Sequence, residues 1–130
     1  MRMLAVLTAL VPLFLAAPRA FADCTNTNSP FDGVYCDIQV FHQADHQLNE
    51  DYKSLHTMLN ASQKHSLKES EITWIQDRNS QCTAVEGKWS YVSIDCAIDM
   101  TTKRDDLIKQ LARECSSTGC VDSDIAKEFE

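Results

Sequence analysis

From Val34 onward, apolar side chains recur at alternating intervals of four and three residues. Val34, Ile38, Phe41, Leu48, Tyr52, Leu55 and Leu59 form one row, and Asp45 takes its single polar place. That is the period of a helix face turned to a core. Ser29-Pro30-Phe31-Asp32 supplies the start: a hydroxyl N-cap, proline at the first helical position and an acid in the first turn. The polar stretch from Asn60 to His65 predicts a turn. Ser66-Leu67-Lys68-Glu69 then reads as a capping box opening a second helix that runs to about Cys82, with Leu67, Glu71, Trp74, Arg78 and Cys82 on one face. Thr83 to Tyr91 contains Gly87 and no helical period, so it reads as a loop; Trp89 to Ile94 is a short strand candidate. A third helix, from about Ser93 to Glu114, aligns Ile94, Ala97, Thr101, Arg104, Ile108 and Leu111. The segment from Cys115 on is polar, with a turn expected at Gly119. The expected fold is all-α: a small, single three-helix domain with a long first helix.

Ahead of the first helix, Met1-Arg2-Met3 leads into an apolar run from Leu4 to Ala17, followed by Ala20-Phe21-Ala22. A positive end, a short apolar stretch and a small-x-small site make a secretory signal peptide. The run falls short of the roughly 20 residues of a spanning helix, so no membrane insertion is expected. Cleavage is expected after residue 22, leaving 23–130 as the mature domain, periplasmic or secreted. Asp23 stands between the cleavage site and Cys24, which excludes a lipid anchor on that cysteine. All six cysteines fall in the mature part, with no CxxC pair that would suggest zinc. Of the possible pairings, the sequence-local set Cys24–Cys36, Cys82–Cys96 and Cys115–Cys120 is expected. Losing Arg2 and Arg19 takes the 12 Lys+Arg down to 10 against 19 Asp+Glu, a net charge of −9. Nucleic acid is thereby disfavoured, and a cationic partner is favoured.

The three helical rows carry charges where apolar residues belong: Asp45, Glu71, Arg78 and Arg104. Burying an unpaired charge costs several kcal/mol, so a charge-neutral structural cluster is expected, with Asp45 bonded to at least one arginine. On that reading Arg78→Ala costs roughly 3–5 kcal/mol. A glycosidase acid must hold a proton at neutral pH, whereas an adjacent guanidinium favours a charged carboxylate. No catalytic residue is therefore assigned to this pair. His42 and His46 have a metal-compatible spacing, but Lys53 continues the same row, and no metal or other cofactor is expected. Asn60-Ala61-Ser62 is a glycosylation sequon if the host is eukaryotic. Lys88, Trp89 and Tyr91, on the loop between Cys82 and Cys96, are the candidate partner contacts, because tethered aromatics make binding hot spots.

Several of these residues form a known pattern. Ala44-Asp45-His46-Gln47-Leu48-Asn49 with Tyr52, then Trp74-Ile75 with Arg78 and Cys82, then Cys96 with Thr101 and Arg104, resemble the LprI-type lysozyme inhibitor domain. The resemblance covers about Cys24 to Leu111, leaving 112–130 as an extra cysteine-containing tail. It implies a small exported helical module whose signature residues here are Asp45, Leu48, Asn49, Tyr52, Trp74 and Arg78. Ser70-Glu71 departs from the Ala-Gln pair the family often carries before its tryptophan. What the resemblance implies is inhibition of a lysozyme or related basic cell-wall hydrolase by occlusion. The rival expectation is an envelope interaction or immunity module with no lysozyme target.

Overall fold

A computed structural model describes Cys24 and residues 29–125. The expected signal peptide, its cleavage point and the last five residues lie outside the described residues. Helix α1 spans Pro30–Met58, and its Ser29 cap accepts a hydrogen bond from the Asp32 amide. Helix α2 spans Ala61–Gln81, six residues longer at its start than the sequence pattern suggests. Its cap is Asn60: the Asn60 side chain accepts from the Gln63 amide while the Gln63 side chain accepts from the Asn60 amide. This reciprocal pair replaces the expected box at Ser66–Glu69 and turns the expected loop into the first turn of the helix.

Strands β1 (Thr83–Glu86) and β2 (Trp89–Val92) pair antiparallel; β2 falls within the Trp89–Ile94 strand candidate, whereas β1 lies where a loop was expected. Gly87, at φ +61°, and Lys88 form the two-residue turn between them. Glycine at the first central position suits the twist of a hairpin. Helix α3 spans Ile94–Thr118, capped by Ser93 and ended by Gly119 at φ +91°. A single turn, α4, follows at Asp122–Ile125.

Only Leu59 and Asn60 join α1 to α2, so the two run antiparallel. Lys109 meets Asp51 and Ser116 meets Met58, a constant offset that makes α3 parallel to α1. The core gathers at the α1–α2 turn end: Leu48, Leu55 and Leu59 from α1, Leu67 and Trp74 from α2, Ile108 and Leu111 from α3, and Ile125 from α4. Each large aliphatic side chain buried here contributes about 1.5–3 kcal/mol. The polar tail is thus part of the core through Ile125. It is held by Gln63, whose Nε2 donates to the Cys120 carbonyl and to Asp122 Oδ1. Disulfides join Cys24 to Cys36, Cys82 to Cys96 and Cys115 to Cys120. The row on α1 does not stay buried throughout: Val34 and Ile38 are exposed.

Candidate functional site

Ser70, Glu71, Trp74 and Arg78 follow one another at one- to four-residue steps on the inner side of α2, opposite α3. Arg104, only 1 % exposed, enters from α3. Its Nε donates to Glu71 Oε2 at 2.9 Å and its Nη2 to Ser70 Oγ at 3.0 Å. Arg78 lies 3.6 Å from Asp45 Oδ1 on α1 and reaches Thr101 Oγ1 on α3 at 3.5 Å. The two guanidiniums both approach the Trp74 ring, at 4.8 Å for Arg78 and 5.9 Å for Arg104, and Arg78 also lies 5.5 Å from the Phe41 ring. The four charges of the apolar rows therefore form two ion pairs joined through Trp74. They differ in depth: the Glu71 side chain is 18 % exposed and that of Asp45 is 44 % exposed.

The other signature residues surround this cluster. Leu48 is buried in the core. Asn49 donates to the carbonyl and the carboxylate of Asp45, fixing its rotamer. Tyr52 packs against the core and stacks on His56. Burial raises the Tyr52 hydroxyl above its ordinary pKa, the Glu71 carboxylate adds to this and Arg104 opposes it. Together these residues bind three helices to one another, which is a positioning role.

A second charged group was not read from the sequence. Asp105, on the inner side of α3, is 6 % exposed. Its Oδ2 accepts from Lys109 at 2.6 Å, and Lys109 also lies 3.6 Å from Asp51 Oδ2, which accepts from Gln47. Among the described residues Asp105 Oδ1 has no hydrogen-bond partner. The Asp105 carboxyl is raised above its ordinary pKa, chiefly by burial, with Asp51 adding and Lys109 opposing. Asp51 is lowered, chiefly by its hydrogen bond from Gln47. The signal was present as the i, i+4 spacing of Asp105 and Lys109, masked because Asp105 flanks the apolar row rather than interrupting it.

The hairpin is the accessible part. Register sets Glu86 opposite Trp89 and Ala84 opposite Tyr91, so Trp89 and Tyr91 share one face, while Val85 and Val92 occupy the other. Trp89 is 61 % exposed and Tyr91 53 %. Lys88 Nζ sits 5.3 Å from the Trp89 ring centroid. At the base, the Ser93 amide donates to the Cys82 carbonyl beside the Cys82–Cys96 disulfide. The expected contact trio thus lies on a tethered, solvent-facing element. His42 and His46 are exposed on α1, and among the described residues no group of three or more His, Cys, Asp or Glu side chains is placed to hold a metal. Among the same residues no helix is long and apolar enough to cross a membrane.

Fold and surface together define a small disulfide-stapled helical domain with one buried and one half-exposed ion pair between its helices, and with exposed aromatics on the hairpin and at the start of α1. The chain belongs to the LprI lysozyme inhibitor family, whose sequence model, described as "Lysozyme inhibitor LprI", matches residues 23–107. No curated protein and no solved structure matches it.

Proposed function

We propose that the protein is exported, loses Met1–Ala22, and acts in the periplasm or outside the cell as residues 23–130, inhibiting a lysozyme or a related basic cell-wall hydrolase by occluding it. Family membership carries this reading. The three disulfides support it, since such bonds persist in oxidising compartments. The contact is assigned to Lys88, Trp89 and Tyr91, which are exposed on the hairpin. The ion pairs around Trp74 hold the helices in register and turn over no substrate; the protein needs no metal or other cofactor. It carries no lipid anchor, inserts in no membrane and binds no nucleic acid.

The test is cell-wall clearing by lysozymes of different classes with the purified mature domain added. Clearing is expected to slow in proportion to inhibitor until enzyme and inhibitor are equimolar. Undiminished clearing by every class at several-fold molar excess would remove the reading, and an envelope interaction or immunity module would take its place.

A further inference from the structure

Phe31, Val34, Tyr35 and Ile38 recur at helical spacing on α1, yet they are 78 %, 54 %, 50 % and 47 % exposed. Their neighbouring helices reach about the level of Ile38 and stop short of Phe31, Val34 and Tyr35. Arg78, in the last turn of α2, reaches Phe41 and Asp45, and α2 ends at Gln81. Phe31 lies a further 15 Å or so along the α1 axis from Phe41 at 1.5 Å per residue. On the parallel helix α3, the offset that pairs Asp51 with Lys109 and Met58 with Ser116 places its first residue, Ile94, level with Cys36. The first turns of α1 therefore project past both partners, at the end of the bundle where the hairpin also leaves. The Cys24–Cys36 disulfide ties the preceding chain to this projecting part.

We infer that this projecting face of α1 is a second contact for the basic hydrolase, docking alongside the hairpin; the inference rests on the function proposed above. Charge selects the occupant. The same end of the bundle carries Asp32 and Asp37 on α1, Asp77 near the end of α2, Glu86 on the hairpin and Asp95 in the first turn of α3, against Lys88 and the Arg78 paired with Asp45. A second copy would bring two acidic ends together on a mature domain that holds 10 Lys+Arg against 19 Asp+Glu, a net −9, whereas a basic protein meets an apolar centre with complementary charge around it.

Phe31→Ser combined with Tyr35→Ser tests this against a strongly basic lysozyme that the wild type inhibits. Both side chains are exposed, so the helical signal and the melting temperature should stay at wild-type values. The inhibitory affinity should fall about tenfold or more, whereas Ile72→Ser, midway along α2, should leave it unchanged. A folded double variant of full potency would overturn the α1 contact while leaving the proposed function standing. Sedimentation showing a wild-type dimer that the double variant abolishes would assign the face to a second copy and overturn it equally. Failure of the wild type to inhibit any lysozyme would remove both proposals.

Discussion

The two arginines of the Trp74 cluster differ in what their removal exposes. Arg104→Ala leaves Glu71 in a largely buried site and Ser70 without that donor, and should cost about 3–5 kcal/mol in urea melts. Replacing the pair together, Arg104→Met with Glu71→Leu, should recover most of that loss, because two well-packed apolar groups carry no desolvation penalty. Arg78→Ala removes a long hydrogen bond to Thr101 and strands Asp45, which water reaches, so its cost should be nearer 1–2 kcal/mol, mostly from lost contact with Trp74 and Phe41. The expectation of a larger loss at Arg78 treated the four charges as equally deep, and sequence spacing carries no depth. Asp105 adds a pH dependence. Its raised pKa means the folded state keeps a proton that the unfolded chain releases, so its contribution to stability falls as pH climbs from the ordinary aspartate value through the raised one. Asp51, lowered, works in the opposite sense and loses its contribution as pH falls below the ordinary value. Melts of wild type and Asp105→Asn from about pH 4 to pH 7 should therefore diverge, with the variant lacking the downward limb.

At the scale of elements, the helices were legible where a cap or an apolar row marked them. Ser29-Pro30 marked the start of α1 and Ser93 that of α3, whereas α3 runs to Thr118, four residues past its expected end at Glu114, and stops only at Gly119. The start of α2 was hidden because Asn60-Ala61-Ser62-Gln63 caps through side-chain amides and offers no apolar residue to set a period. The hairpin was hidden for a different reason: it buries neither face, so no alternation of apolar and polar residues was ever required of it. The Trp89–Ile94 strand candidate and Gly87 were the local clues. An element with so little packing depends on its base. Cys82→Ser with Cys96→Ser should lower overall stability by about 2–4 kcal/mol. In the variant, amide exchange should speed up across Thr83–Val92 more than in α1, and lysozyme inhibition should weaken in parallel. Unchanged exchange in the hairpin would show that the Ser93–Cys82 hydrogen bond alone holds its base.

Taken whole, the molecule is polarised along the bundle. Leucines, isoleucines and Trp74 pack the α1–α2 turn end, whereas Ala97, Thr101 and the arginines fill the opposite half. The helices of that half end level with about Ile38 and present small or charged residues near it, which is why a sequence row with one polar place became half core and half surface. Attraction of an acidic domain to a basic enzyme acts at long range and is screened over about 8 Å at physiological salt, whereas aromatic burial at contact is not. The two contributions should separate in the kinetics. Raising salt from about 50 mM to 500 mM should slow association by about tenfold or more and leave dissociation nearly constant. Trp89→Ala should do the reverse, speeding dissociation while leaving the salt dependence of association intact. Stopped-flow binding of the mature domain to a basic lysozyme reads both rates. An association rate indifferent to salt would mean that net charge plays no part in bringing the partners together, and the choice of a basic partner over a neutral one would lose its physical ground.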